Sequence, residues 1–420
     1  MQLRKLAWWL SGGTALLGLA GWAVAERLED RDYTPLDHPA IGYRDPNGQD
    51  RVSQLDRRLQ KGEVTLDYAP NGLGYLPAVL KALSVNIDSQ VLVFSKTSTQ
   101  AAKISPMTPR AIYFNDDVAV GFVRNSEVLE FTALDPVAGV KTYTMDFPRA
   151  KQPGFGRRED CLLCHVGGIT FGIPGLMVAS VHPADTERER HGSSFVTDQR
   201  TPLKERWGGW YVTGTSGMQR HLGNNTNLVD PVHPGGPGGV DTQNVINLDG
   251  KFDLSKYLAP TSDLVALMTL EHQARMTNLL VRIGWDARMG PMDETALNQE
   301  IEEMVTYMLF ADEEPLREPV AGVSTFTKTF PERGPKDRQG RSLRDFDLKT
   351  RLFRYPLSYM IYSAAFDSLP GVVKERVAKR LLEILTGKDD SKAFVRLSSE
   401  DRKAILEIVR ETKPGLAGDR

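Results

Sequence analysis

Short runs of β-branched and aromatic residues, bounded by turn residues, recur between residues 90 and 145. Such runs are typical of β-strands, and the short intervals between them suit hairpins. Consecutive strands joined by short turns pair with one another, so the pattern predicts an antiparallel meander. The predicted strands are residues 90–95, 110–115, 118–123, 128–133 and 140–145.

The turn between the second and third of these strands contains Asn115, Asp116 and Asp117. The two carboxylates could serve as an acid/base pair or as metal ligands. Asn and Asp are also the residues that tolerate the positive φ of tight hairpins. We therefore interpret this segment as a tight hairpin turn and not as an acid/base or metal site.

Beyond residue 260 the pattern becomes helical, with apolar positions at steps of three and four residues. Ser398 and Asp401 form a capping box for the last predicted helix. The predicted helices cover residues 262–283, 298–311, 358–368, 372–385 and 399–410, and two short ones precede the strands at 52–59 and 75–83.

Between the strands and the helices lies Cys161-Leu162-Leu163-Cys164-His165, a C-x-x-C-H motif that holds both cysteines of the chain. This motif is the attachment signature of a c-type haem. Two intervening residues place both sulfurs under one porphyrin edge, and the next residue presents an imidazole to the iron. We expect one covalent haem c on Cys161 and Cys164, with His165 as an iron ligand.

The cysteine pair is also compatible with two other kinds of site. A redox disulfide of the thioredoxin type opens a helix after a strand, whereas glycine-rich sequence follows here. A structural zinc site needs further thiol or imidazole ligands at comparable spacing, and the chain has no other cysteine. Both readings are weaker than haem attachment.

The fold class that follows is α+β, with a strand-rich N-terminal region, a loop-rich haem c segment and an all-helical C-terminal region. A chain of 420 residues is long enough for two or three domains. Glycine and proline cluster around residues 233–239, which suggests a linker. We predict an α+β domain at 26–150, a haem attachment region at 151–222, a Gly/Pro-rich linker at 223–260 and a helical domain at 261–420.

The N-terminus predicts export. Arg4 and Lys5 precede an apolar stretch at residues 6–21, and Ala23-Val24-Ala25 has the small residues of a cleavage site. Residues 1–25 are therefore a secretory signal peptide or, uncleaved, a membrane anchor. Either places the bulk of the protein outside the cytoplasm, in the periplasm, where c-type haem is attached in bacteria. The net charge of -2 argues against a nucleic-acid partner.

Function depends on the ligand at the other face of the iron, because a second protein ligand favours electron transfer and an open face allows chemistry. His221 and Met218 lie in a glycine-rich loop downstream of the motif, where small cytochromes supply a methionine. His272 lies on the apolar face of the helix predicted at 262–283. We rank His221 first, then Met218 and His272. The other candidates are Met177, expected in the core, and His182, His191, His233, Met268 and Met276.

Several segments resemble a group of large, exported, single-haem bacterial proteins known as cytochrome c domain proteins. They are residues 89–98, 105–117, 161–165, 206–214 and 270–273, and the likeness spans residues 70–385. The resemblance implies haem attachment at Cys161 and Cys164 and iron ligation by His165. It implies no substrate.

We therefore expect an exported monohaem c-type cytochrome that passes electrons to or from a redox partner protein or a small molecule. The alternative is a haem enzyme with an open iron face, performing peroxidase-like or other small-molecule redox chemistry. A haem sensor is a third class, which no feature of the sequence favours specifically.

Overall fold

The computed structural model describes residues 36–96, 98–181, 194–226, 242–290, 293–389 and 391–416. The predicted signal peptide or anchor at residues 1–25 lies outside these ranges, as do the candidate ligands His182, His191 and His233. Within the described ranges, none of the helices has the length and apolar character needed to cross a membrane.

An antiparallel sheet forms the centre of the fold, which confirms the predicted meander. Its strand order is β6-β5-β4-β3-β2-β1-β9, and all neighbours are antiparallel. The two edge strands were not predicted, because each has only two residues and so shows no alternation. The strands are β1 (Val91–Val93), β2 (Arg110–Phe114), β3 (Val118–Phe122), β4 (Val128–Asp135), β5 (Gly139–Asp146), β6 (Gly156–Arg157) and β9 (Trp210–Tyr211). A separate hairpin pairs β7 (Ala179–Val181) with β8 (Ser194–Val196).

The β2–β3 turn is closed by a side chain. Asn115 Oδ1 accepts hydrogen bonds from the backbone N–H groups of Asp117 (3.0 Å) and Val118 (2.9 Å). The predicted turn is therefore confirmed, but none of its three residues has the positive φ that we expected. Asp116 and Asp117 form ion pairs with Arg344 and Arg51.

Helices before and after the sheet complete an α+β architecture, as predicted. The capping box of Ser398 and Asp401 is present. The helix predicted at 358–368 is instead a 3-10 turn, Tyr359–Tyr362, and a short α-helix, because Ser363 caps a new helix between them. The α-helices are α1 (Arg51–Gln60), α2 (Leu76–Ala82), α3 (Leu162–His165), α4 (Leu264–Met289), α5 (Glu294–Met308), α6 (Phe326–Glu332), α7 (Ala364–Asp367), α8 (Gly371–Leu385) and α9 (Ser399–Thr412).

Both faces of the sheet are covered. On β4, Leu129, Phe131 and Ala133 point to one face, where α1 and α2 pack. Leu134 belongs to the cluster on the other face, which includes α4 and the C-terminal helices. The sheet thus separates two hydrophobic clusters, one on each of its faces. Three residues of the predicted 223–260 linker are buried against the sheet, Leu248, Phe252 and Tyr257. The domain boundaries stay a prediction.

Helix α4 is buried along most of its 26 residues. It begins at Asp263, whose carboxylate is fully buried and accepts four backbone N–H groups. Oδ1 accepts from Val265 (2.9 Å) and Ala266 (3.1 Å), the usual helix cap. Oδ2 accepts from Val323 and Ser324, both at 2.8 Å. Asp263 therefore joins the start of α4 to the loop that precedes α6.

Asp263→Asn is expected to destabilise the protein by about 2–3 kcal/mol, because an amide NH₂ would face two of the four backbone donors. Urea unfolding measures the change. Asp293→Asn is the matched control: Asp293 caps α5 with one bond, from Ala296 N–H at 3.1 Å, and is exposed. Since Asn caps helices as well as Asp does, this control should change stability by less than about 0.5 kcal/mol. Equal effects of the two substitutions would contradict the account of Asp263.

Candidate functional site

A cavity lies between the sheet and α4. Its empty volume is about 1450 Å³, including the part open to solvent. Helix α4 forms one wall, with side chains at the three- and four-residue spacing of a single helix face. These are Leu270, Gln273, Ala274 and Thr277.

The opposite wall is the face of the sheet, and its central side chains are short. Ala119 pairs across strands with Thr132, and Thr132 pairs with Thr142. Beside them is Gly121, where a Cβ would lie 2.8 Å from the guanidinium of Arg110. Short side chains on a sheet leave a broad, flat space, which fits the shape of a macrocycle.

The C-x-x-C-H motif borders this space. Cys161, Cys164 and His165 all line the cavity, on the one-turn helix α3 and its N-terminal end. Both cysteines are free thiols, Cys161 half-buried and Cys164 exposed. The structure therefore brings together the three residues predicted to hold haem. In the described parts of the chain, no three His, Cys, Asp or Glu side chains converge as a metal-ion site.

His165 is oriented by a hydrogen bond. Its Nδ1 lies 2.8 Å from the carbonyl oxygen of Gly175. Because a carbonyl only accepts, Nδ1 carries the proton and Nε2 keeps its lone pair. Burial lowers the pKa of His165 below its usual value, since it disfavours the imidazolium. A neutral imidazole held through Nδ1, with Nε2 free, is the form that ligates metals.

His272 does not line the cavity, although it lies on α4 as predicted. It is fully buried, and both ring nitrogens have partners. Nδ1 lies 2.6 Å from Gln199 Oε1, and Nε2 lies 2.8 Å from Ser358 Oγ. The ring also stacks on Tyr307 and Phe310. These contacts are those of a core histidine.

His221 and Met218 also lie outside the cavity lining. His221 is buried against Trp207, and its Nδ1 accepts the N–H of Gly223 at 3.1 Å. Met218 is 84% exposed. The structure thus separates all three of the ranked ligand candidates from Cys161, Cys164 and His165.

Met177 is the methionine that the cavity does contain. Among the described residues, it and His165 are the only methionine and histidine in the lining. The sequence placed Met177 in the core, yet it is half-buried. It follows Gly175 by two residues, so its backbone belongs to the segment that holds His165.

Arg110 supplies a cationic group to the cavity that sequence reasoning missed. It pairs with Glu130 at 2.9 Å, and its Nε is buried without a hydrogen-bond partner. Burial alone would raise the pKa of Glu130, but Arg110 and neighbouring hydroxyl and amide groups lower it. An unpartnered guanidinium N–H suits a carboxylate such as a haem propionate. A signal was available, because Arg110 begins a strand in phase with inward-facing Ile112.

Arg157 and Arg158, the two arginines nearest the motif in sequence, have other partners. Arg157 donates to the backbone carbonyl of Tyr43 and lies over its ring. Arg158 pairs with Asp160. Neither arginine lines the cavity.

Comparison with known proteins identifies no relative: no family model matches the chain, and no curated protein or solved structure is significantly similar to it. The resemblance to exported cytochrome c domain proteins therefore stays a prediction from the motifs.

The burial of His221 predicts a loss of stability in acid. Burial lowers its pKa to about 4, from 6.5. As pH falls from 6.5, the unfolded chain binds a proton that the folded protein does not, so stability falls until pH reaches about 4. The loss is on the order of 3 kcal/mol.

His221→Asn should remove this part of the pH dependence while an oxygen still accepts the Gly223 N–H. The measurement is urea unfolding of both proteins between pH 4 and pH 7. At pH 7, where His221 is neutral in either state, their difference serves as the internal control. If the wild type and His221→Asn lost the same amount of stability between pH 7 and pH 4, the prediction would be contradicted.

Proposed function

We propose that the protein is an exported monohaem c-type cytochrome that transfers electrons through one covalently attached haem. The observation that carries the proposal is that both cysteines and His165 of the C-x-x-C-H motif face one large cavity. If the motif were unrelated to a cofactor, we would not expect all three of its side chains to border one cavity.

Each part of the cavity matches one part of the group. Cys161 and Cys164 would form the thioethers, His165 Nε2 would bind the iron, and Arg110 would pair with a propionate. The flat wall around Thr132 and Gly121 would accept the macrocycle. When bound, the haem would supply one-electron redox chemistry at its iron.

The position of the motif also suits electron exchange with a partner. Cys164 is exposed, so the attached edge of the haem would lie near the protein surface. Leu163 is 87% exposed and Ile169 is 52% exposed beside it. Apolar side chains near the attached edge would contact a partner that docks there. The partner would be a periplasmic redox protein, or a small-molecule donor or acceptor.

Substitution of the cysteines tests attachment. The full chain is expressed in an exporting bacterial host that attaches c-type haem, and the haem absorbance that stays with the denatured polypeptide is measured. The wild type should retain one haem, and the Cys161→Ser/Cys164→Ser variant should retain none, because hydroxyl groups do not form the thioethers.

Leu163→Ala is the matched control, since it alters the exposed interior of the motif but keeps both thiols and His165. It should retain as much haem as the wild type. Wild-type protein that carries no haem, or a double variant that keeps it after denaturation, would refute the proposal.

A second candidate function is a haem enzyme with an open iron face. The observation in its favour is that His221, Met218 and His272 all lie away from the cavity. The iron would then bind a small molecule such as a peroxide, opposite His165.

Carbon monoxide distinguishes the two functions. The electron carrier should show a low-spin spectrum that the gas leaves unchanged in the reduced protein, because two side chains occupy the iron. Met177→Leu is measured alongside: if Met177 is the second ligand, this variant alone becomes sensitive to carbon monoxide. A wild-type spectrum shifted by the gas would favour the open-face enzyme and contradict the electron carrier.

A further inference from the structure

One side chain of α4 holds the segment that orients His165. Asn278 is 3% exposed and makes two hydrogen bonds to the backbone of Leu176. Its Oδ1 accepts the Leu176 N–H at 2.8 Å, and its Nδ2 donates to the Leu176 carbonyl at 2.8 Å. The side-chain amide thus pairs with the backbone as a neighbouring strand would.

The adjacent residue, Gly175, is the one whose carbonyl accepts the hydrogen bond from His165 Nδ1–H. Its own N–H donates to the His165 carbonyl at 2.9 Å. A Cβ at Gly175 would lie 2.5 Å from Asn278 Oδ1 and 2.9 Å from the Cβ of Thr170. Only glycine permits the backbone to lie this close to Asn278.

A short path therefore connects α4 to the imidazole: Asn278, the Leu176 peptide, the Gly175 carbonyl and His165 Nδ1. We propose that Asn278 is a positioning residue for His165. By holding Leu176, it sets the strength of the hydrogen bond that the Gly175 carbonyl accepts from His165 Nδ1–H. The inference rests on the proposed role of His165 as an iron ligand.

The consequence is electronic as well as geometric. A strong hydrogen bond from Nδ1 raises the basicity of Nε2, and a more basic ligand stabilises ferric over ferrous iron. When Asn278 no longer holds Leu176, the Gly175 carbonyl is less well placed and this bond weakens. The reduction potential should then rise.

The test is the reduction potential of the haem-loaded full chain carrying Asn278→Ala. We expect the oxidation equilibrium to shift about tenfold toward the reduced form, which equals about 59 mV for a one-electron couple. Thr269→Val is the matched control on the same helix. Thr269 is fully buried and its hydroxyl donates within α4, to the Val265 carbonyl at 2.8 Å. That variant should leave the potential unchanged.

Asn278→Asp provides a second variant of nearly the same shape. A protonated carboxyl can make both bonds to Leu176, whereas a carboxylate cannot donate to the carbonyl. Its potential should match the wild type at low pH and depart from it as the carboxyl ionises. The wild type should show no such step, because Asn278 does not titrate.

The outcomes separate this inference from the proposed function. A wild type that acquires no haem refutes the function. A haem-loaded Asn278→Asp protein whose potential follows the wild type at every pH refutes the positioning role. An Asn278→Ala protein whose potential equals that of the wild type, as the Thr269→Val control should, also refutes it.

Discussion

The carboxylate of Asp263 fixes where α4 begins, and the position of α4 determines the cavity. Its two oxygens accept four backbone N–H groups in a fully buried site. Such a cap leaves little freedom in the register of the helix. Because α4 forms the wall opposite the sheet, each of its side chains has a defined place around the space that Cys161, Cys164 and His165 border.

Buried polar side chains of α4 extend this control to the loops around the cavity. Glu271 accepts from Thr197 Oγ1 at 2.6 Å and from Arg206 at 3.0 Å, and burial outweighs these partners and raises its pKa to about 7. Asn278 holds Leu176, and Arg282 donates to the Phe171 carbonyl at 3.1 Å. The central segment has few regular elements, so these bonds from one helix position much of it.

Local signals in the sequence were sufficient for the five-strand meander, for most of the longer helices and for recognising the C-x-x-C-H motif. The meander and the α9 cap agree with the predictions, and Cys161, Cys164 and His165 border one cavity. The groups around His165 could be identified only from the tertiary structure. On α4 the apolar positions placed His272 on a buried face, but this helix is buried on nearly every side.

The cavity face of α4 includes Gln273, which is one residue, or about 100° of helix rotation, from His272. Periodicity alone does not tell one buried face from another. Arg110 and Asn278 were missed for a related reason. A polar residue at an inward-facing position departs from the hydrophobic pattern, and its role is clear only when its partner across the fold is known. In each case the decisive contact joins residues distant in sequence.

In the proposed function, the cavity holds a haem that is bound through Cys161, Cys164 and His165. The most direct measurement is the mass of the tryptic peptide of residues 159–188 from protein exported by a haem-attaching host. We expect this peptide to carry the mass of one haem with both thiols consumed. A peptide with two free thiols, or with a disulfide between Cys161 and Cys164, would contradict it.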